Sequence, residues 1–249
     1  MSGRDYVKES KDAATHQYAY DFDYLMHRYM LRSFMPHIRG GSALEMGSYR
    51  GDFTVLLAEQ FDDLTVIEAA SNLIEETRAR VPVTKGGTPV AFHHGTLETV
   101  EPKRRFDSIF LMHTLEHLDD PVGVLRRVND WLSDTGALFL VVPNADAASR
   151  QIAVKMGLIS HNAEVTPAER EHGHRCTYSF DTLERDTKAA GLRVLRREGI
   201  FFKPFANFQF DRLMKTDIVS PEYLEGCYQL GMQYPSLCAS IFLLCAKGA

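Results

Sequence analysis

Short apolar runs alternate with amphipathic segments between residues 42 and 143, and this alternation limits the fold more than any other feature. The predicted strands are Ser42–Met46, Leu64–Ile67, Val90–His94, Phe106–Met112 and Ala137–Val142, and the predicted helices are Asp52–Phe61, Ser71–Arg80 and Pro121–Leu132. Two of the runs, Phe106–Met112 and Ala137–Val142, are almost wholly apolar, which is typical of strands covered on both faces. Strand–helix alternation with short links predicts an α/β fold with a doubly wound parallel sheet.

The flanking regions predict further elements. Residues 21–38 place apolar side chains three and four positions apart, which indicates an amphipathic helix that Gly40 and Gly41 end. Ser71 and Ser179 are the expected N-caps of their helices. Beyond Asn144 we expect helices at Ala147–Met156 and Ser179–Ala190, strands at Leu192–Ile200 and Leu237–Ala246, and an irregular, aromatic-rich stretch at 201–237.

The charge balance and the apolar runs exclude several classes of protein. The net charge is −5, so a broad basic face for nucleic acid or an anionic membrane is not expected. The longest apolar runs are six residues, whereas a membrane-spanning helix needs about 20. The start of the sequence has no secretory apolar segment, and the four cysteines lack CxxC spacing. We therefore expect a cytoplasmic protein with reduced thiols, as a monomer or homodimer.

A turn punctuated by glycines follows the first predicted strand. Gly47 and Gly51 are four positions apart, so the turn matches neither the GxGxxG dinucleotide fingerprint nor a phosphate loop ending in GK[ST]. Glycines let a ligand approach the main chain closely. The turn therefore favours a close ligand that is not held through phosphate, and the spacing disfavours an NAD-type oxidoreductase.

Two acidic residues accompany this turn. Glu45 lies inside a strand expected to be buried, where a carboxylate needs a cationic or hydrogen-bonding partner. Glu68 ends the second predicted strand, and an acid about 20 residues beyond such a turn typically binds ribose hydroxyls. The turn and the two acids together predict a nucleoside-containing ligand.

These motifs resemble those of class I S-adenosylmethionine (SAM)-dependent methyltransferases. The residues that carry the resemblance are Leu44-Glu45-Met46-Gly47 with Gly51, Glu68, Gly95-Thr96-Leu97, Phe106-Asp107-Ser108-Ile109-Phe110 and Leu115-Glu116-His117-Leu118. The resemblance covers about Ser42–Gly199 and is greatest to the small-molecule group related to ubiquinone-biosynthesis methyltransferases. It implies a Rossmann-like, mostly parallel sheet of seven strands with helices on both faces and an antiparallel last strand. It also implies that residues 1–41 form a lid helix and that residues 42–249 form a core whose insertions, 144–178 and 201–237, cap the substrate.

The resemblance also implies roles for individual residues. Glu45 and the Gly47–Gly51 turn would hold the methionine end, Glu68 the ribose diol, and Ala69 the side of the adenine. The implied cofactor-binding residues are Glu45, Gly47, Ser48, Tyr49, Gly51, Phe53, Glu68, Ala69, Thr96, Leu97, His113, Tyr20 and His27. The expected substrate-binding residues are Tyr18, His174, Arg175, Tyr178 and Phe201. The family pattern has glycine in place of Tyr49 and an acid in place of Thr96.

Two histidine-rich motifs leave a choice between metal and acid–base chemistry. His113-Thr114-Leu115-Glu116-His117 matches the HxxEH zinc-protease pattern, but it directly follows a predicted strand, and that metal site needs a long helix. The His172-Gly173-His174 pair shows no clear carboxylate partner. We therefore expect no metal, and His113 and His117 as candidate catalytic residues, because a neutral imidazole can accept a proton near neutral pH.

The sequence thus predicts a SAM-dependent methyltransferase, with S-adenosylhomocysteine (SAH) as product. The expected acceptor is an oxygen or nitrogen atom of a small metabolite, planar or apolar in view of the aromatic density at 201–237, in secondary metabolism. The alternative is a SAM-binding regulatory module that transfers no methyl group.

Overall fold

The computed structural model describes residues 6–8 and 20–248 and contains one seven-stranded sheet. Its strands are β1 (Ser42–Met46), β2 (Asp63–Glu68), β3 (Ala91–His94), β4 (Phe106–Met112), β5 (Leu132–Pro143), β6 (Arg193–Phe202) and β7 (Cys238–Ala246). The order across the sheet is β3-β2-β1-β4-β5-β7-β6. The five strands from β3 to β5 are parallel, whereas β7 is antiparallel to both β5 and β6. The predicted fold class is confirmed.

Nine helices of five or more residues occur in the described part of the chain. They are α1 (Asp21–Phe34), α2 (Asp52–Ala58), α3 (Ser71–Arg80), α4 (Pro121–Trp131), α5 (Ala148–Lys155), α6 (Pro167–Glu171), α7 (Phe180–Ala189), α8 (Asn207–Met214) and α9 (Pro221–Gln233). Among residues 6–8 and 20–248, none is long and apolar enough to cross a membrane.

Two local predictions were wrong. The N-cap of α3 is Ala70, so Ser71 is its first helical residue and caps nothing. Region 201–237 is not irregular, because it ends β6 and then forms α8 and α9. The hydroxyl of Ser220 caps α9 by accepting a hydrogen bond from the backbone N–H of Tyr223. Gly226 lies inside α9, and because glycine disfavours helices the sequence of this segment does not read clearly as a helix. The expected cap of α7 by Ser179 is present.

The sheet is covered on both faces, as the apolar runs predicted. Alternate residues of the central strands point to opposite sides, so Leu138 and Leu140 pack with α4 and α7, whereas Phe139 and Val141 pack with α1 and α2. Helix α1 contributes four buried side chains to the second of these cores: Phe22, Met26, Met30 and Phe34. The part of the predicted lid that the structure describes is therefore an integral layer of the core.

The parallel strands bring their carboxyl ends to one edge of the sheet. The order along the sheet reverses between β1 and β4, since β2 and β3 lie on one side and β5 on the other. Ligands of open α/β sheets bind at this reversal, outside the carboxyl ends of the strands. The loops that follow β1, β2 and β4 are therefore the place to look for a site.

Candidate active site

Glu68 links the loops that follow β1 and β2. One of its carboxylate oxygens accepts hydrogen bonds from the backbone N–H groups of Ser48 at 3.0 Å and Tyr49 at 3.1 Å. The other oxygen accepts from the N–H of Ala70 at 3.0 Å. Burial raises the pKa of Glu68, and these N–H donors oppose that rise. The carboxylate thus positions the turn on which the resemblance places the cofactor.

The two glycines of the turn have no room for a side chain. Gly47 has a φ of 82°, and a Cβ there would lie 2.9 Å from the hydroxyl of Thr114. Gly51 has a φ of 80°, and its Cβ would lie 2.6 Å from the methyl group of Thr77. The Thr114 hydroxyl lies 3.3 Å from the last carbonyl oxygen of β1 and 3.0 Å from that of β4. The turn after β1 is therefore packed directly on the loop after β4.

Tyr49 adopts a glycine-like backbone although it carries a side chain. Its φ is 47°, a region that costs most L-residues about 1–2 kcal/mol. Its N–H donates to Glu68, and its carbonyl oxygen accepts from the Thr77 hydroxyl at 3.2 Å. These bonds hold Tyr49 in its left-handed backbone conformation.

Glu45 is buried, and its carboxylate accepts a hydrogen bond from the hydroxyl of Thr54 at 2.6 Å. Burial raises its pKa to about 8, and the nearby negative charges of Glu68 and Asp52 add to this rise. None of the ion pairs in the described part of the chain involves Glu45. A cationic ligand group at this position would stabilise the ionised carboxylate.

We expect Glu45 to make the ligand-free protein less stable as the pH rises. The folded protein keeps the Glu45 proton up to about pH 8, whereas the unfolded chain releases it near 4.5, so folding stability falls between these values. Between pH 6 and 8, Glu45→Gln should gain on the order of 2 kcal/mol relative to the wild type. Urea unfolding of both proteins across this range measures the difference, and parallel pH curves would contradict the assignment.

His113 directly follows β4, at the edge of the sheet where the carboxyl ends of the parallel strands lie. Its Nε2 is hydrogen-bonded to the hydroxyl of Ser240 at 3.0 Å, and its φ is 46°. Burial, together with repulsion from His27, His174, His117 and Lys203, lowers its pKa to about 3. His113 is therefore a neutral imidazole at physiological pH and a weak proton acceptor.

Helix α1 brings His27 to the site. Its Nδ1 is buried without a hydrogen-bond partner, and burial lowers its pKa. The ring stands edge-on to Phe53, the second residue of α2, with centroids 5.6 Å apart. The buried hydroxyl of Ser48, in the turn after β1, also lacks a partner. Buried polar atoms without partners are rare in proteins and indicate places where a ligand or water completes the hydrogen bonds.

The residues assigned to the adenine side lie after β2 and β3. The carbonyl oxygen of Ala69 is 3.1 Å from Nε2 of His94. The hydroxyl of Thr96 is hydrogen-bonded to that of Thr99 at 3.0 Å, and Leu97 is buried. Their roles toward a base stay predictions.

The predicted substrate-binding residues are dispersed. Arg175 forms a half-exposed ion pair with Asp119 at 3.2 Å. Tyr178 is buried in the core with α4 and α7, and Phe201 is 0% exposed and packs against Phe22. Core packing explains these two rings without a ligand. Tyr18 lies outside the described residues, and Tyr20, which was predicted to bind the cofactor, is the half-buried N-cap residue of α1.

The fold assembles one group that the sequence did not indicate. Glu116 and His117 lie in a 3-10 turn after β4, and His174 lies between α6 and α7. One ligand atom from each of the three lies within 4.8 Å of the others. Glu116 and His117 come from one motif and His174 from the other, whereas His113 and His172 are not in the group.

The sequence matches a family model that settles the class of protein. A model described as a methyltransferase domain matches residues 16–197. The chain belongs to the class I SAM-dependent methyltransferases. The predicted family and the SAM cofactor are thus confirmed, and the neighbouring structures below share the Rossmann-like fold of this class.

Curated relatives of this methyltransferase are moderately similar in sequence. The ubiquinone biosynthesis O-methyltransferase of Rhodopseudomonas palustris (strain BisB5) is 26% identical over 157 residues, which are 61% of this chain and 60% of the relative. That of Xanthomonas euvesicatoria pv. vesicatoria (strain 85-10) is 26% identical over 68% of this chain and 70% of its own length. A trans-aconitate 2-methyltransferase of Rhizobium etli is 27% identical over 44% and 41%. The chain thus spans 60–70% of the first two relatives.

Solved structures of low identity share the fold. A possible histamine N-methyltransferase of Thermotoga maritima superposes with a TM-score of 0.63 at 18% identity, over 96% of this chain and 99% of its own. The N-methyltransferase NodS of Bradyrhizobium japonicum, solved with SAH, gives 0.58 at 14% identity over 93% and 90%. The [4+2]-cyclase SpnF gives 0.58 at 15% identity over 90% and 81%.

The residues of this methyltransferase fit SAM. The buried Glu45 carboxylate would gain a counter-ion from the positively charged methionine end. The unpartnered polar atoms of Ser48 and His27 offer further hydrogen bonds. These observations concern the chain's own groups and fit a nucleoside with a cationic tail.

Proposed function

We propose that this chain transfers a methyl group from SAM to an oxygen or nitrogen atom of a small molecule. The observation that carries the proposal is the joining of the loops after β1, β2 and β4 by Glu68 and Thr114. His113 directly precedes Thr114, and the ring of His27 lies 5.6 Å from that of Phe53 at the start of α2. Bound SAM supplies an electrophilic methyl group on a sulfonium. The protein's task is then mainly alignment of the acceptor, which can account for roughly 7–11 kcal/mol of a barrier.

The chain's own groups would divide this task. Glu68 and the Gly47–Gly51 turn bind and orient the cofactor, and Glu45 holds its positive end. Because Nε2 of His113 is bonded to Ser240, its Nδ1 is the ring nitrogen that would take the acceptor's proton. With a pKa near 3 this nitrogen suits orienting the acceptor better than removing its proton.

SAH release with a panel of acceptors tests the proposal. The names of the relatives and neighbours suggest the panel: a ubiquinone precursor, trans-aconitate and histamine. Release of SAH together with a methylated product supports methyl transfer, and the product's mass and fragmentation identify the atom. SAH binding without turnover on any acceptor would favour the alternative, a SAM-binding protein that does not methylate; the fold of the cyclase SpnF is compatible with other chemistry.

His113→Asn is expected to slow turnover by about tenfold or more and to change SAH affinity less than about threefold. Asn is chosen because it tolerates the left-handed backbone of position 113. Because the pKa of His113 is about 3, its protonation should not affect kcat/KM near pH 6.5. The pH profiles of the wild type and of His113→Asn should therefore have the same shape in that range. Unchanged turnover in His113→Asn would reject a role for this side chain.

Further features support parts of the proposal. The four cysteines are free thiols, consistent with the proposed cytoplasmic location. The buried aromatic rings Phe22, Phe201 and Phe210 pack on one another, so the aromatic density supports a core more than a planar acceptor. A dedicated metabolite of secondary metabolism, and a monomer or homodimer, remain part of the proposal.

A further inference from the structure

Glu116 is a buried carboxylate without a partner. It is 1% exposed, and neither of its carboxylate oxygens has a hydrogen-bond partner. The residue is anchored through its backbone instead, because its carbonyl oxygen accepts from the N–H of Arg175 at 2.8 Å. A buried charge without a counter-ion is costly, so the side chain is either protonated or paired with a cation that the chain itself does not supply.

Two imidazoles stand beside this carboxylate. The rings of His117 and His174 meet edge to face with centroids 4.6 Å apart, and one nitrogen of each lies within 4.8 Å of a Glu116 oxygen. The bond from Arg175 to Glu116 joins the two segments that carry them. The N–H of His174 donates to the carbonyl oxygen of Glu169 at 2.9 Å, which fixes that loop. The three groups are therefore held together by the backbone.

We propose that Glu116, His117 and His174 bind a transition-metal dication, with Zn²⁺ as the best match. Two imidazoles and one carboxylate are a ligand set that zinc uses in catalytic sites, with water or substrate in the fourth position. Imidazole ligands disfavour Mg²⁺ and Ca²⁺, which prefer oxygen. Ligand atoms around tetrahedral zinc lie about 3.3 Å apart. The three ligand atoms here lie within 4.8 Å of one another, so small rotations of the side chains must bring them closer when the metal binds.

The open position of this site would lie on the side of its two histidines. Glu116 is buried, whereas His117 and His174 are partly exposed, so the histidine side is the accessible one. Both histidines are near enough to His113 to lower its pKa by repulsion. The metal site is inferred from its own residues and does not depend on methyl transfer. It replaces the expectation from sequence that the chain holds no metal.

Zinc binding to the full chain tests the inference. Tag-free protein is freed of metal with a chelator, dialysed and titrated with ZnCl₂ by calorimetry. The wild type should bind one equivalent, and Glu116→Gln and His174→Ala should each weaken binding by more than about 100-fold. His172→Ala is the matched control, since it removes the other histidine of the same loop, and its affinity should stay within about threefold. No zinc binding by the wild type, or equal binding by Glu116→Gln, would overturn the site.

Two further measurements keep the test decisive if a variant folds poorly. Co²⁺ added to the metal-free wild type should give the intense visible absorption of a tetrahedral site and be displaced by one equivalent of Zn²⁺; a weak octahedral spectrum would count against the ligand set. SAH affinity is measured on the same samples with and without zinc. If neither the wild type nor any variant binds SAH, with or without zinc, the proposed function is contradicted. If the wild type binds SAH but not zinc, only the metal site is contradicted.

Discussion

Glu68→Ala is expected to weaken SAH binding by about 10- to 100-fold, because hydrogen bonds to a charged group contribute about 1.5–3 kcal/mol. The carboxylate also holds the N–H groups of Ser48 and Tyr49, so its loss loosens the turn after β1 as well. Calorimetric titration with SAH measures the affinity. Glu75→Ala, which removes an exposed acid of α3, is the control and should bind SAH like the wild type.

An SAH analogue that lacks the ribose hydroxyls separates the two contributions. If Glu68 binds the ribose diol, the wild type should bind the analogue weakly, and Glu68→Ala should cost much less with the analogue than with SAH. An equal loss with both ligands would mean that Glu68 acts only by positioning the turn, and the ribose assignment would be wrong.

Phe34→Ala is expected to destabilise the protein by about 3–5 kcal/mol, the usual cost of truncating a buried phenylalanine. Phe34 is 0% exposed at the end of α1, and its ring lies 5.2 Å from that of Phe139 and 4.9 Å from that of Phe242, centroid to centroid. Urea unfolding, with its midpoint and slope, measures the loss. Tyr24 lies on the same helix and is 38% exposed, so Tyr24→Ala should lower the free energy of unfolding by less than about 1 kcal/mol.

This comparison also tests whether α1 is a lid or a layer of the core. A lid that opens would unfold separately, and Phe34→Ala would then leave the main unfolding transition almost unchanged. A loss of less than about 1 kcal/mol would therefore support the interpretation of residues 1–41 as a lid helix. The packing of Phe34 on β5 and β7 predicts the larger value.

The fold could be predicted from the sequence largely because of its central strands. Strands β4 and β5 are buried on both faces, so each appears in the sequence as a continuous apolar run that is easy to recognise as a strand. Helix α9 was missed because Gly226 and Gly231 interrupt its pattern, although Gly231 is tightly enclosed: a Cβ there would lie 2.9 Å from the sulfur of Cys238. Tertiary packing, which no local pattern reports, stabilises that helix.

One part of the candidate site could be predicted from the sequence and another part could not. The turn at Gly47–Gly51 and the acids Glu45 and Glu68 follow strand ends, so the topology of a parallel sheet brings them together predictably. The meeting of Glu116 with His174 depends on how the segment between β5 and α7 returns over the loop after β4, and only the folded chain shows it. Phe201 was predicted to bind the substrate, but its ring is fully buried in the core.

The position of β7 has a consequence for biosynthesis. This strand is translated after β6 but lies between β5 and β6, so β6 has no sheet to join until β7 has left the ribosome. Until then, the apolar edge of β5, which later pairs with β7 from Ala137 to Pro143, is open to other strands. We expect nascent chains that stop short of residue 238 to depend on chaperones, and full-length chains to complete the sheet in one late step.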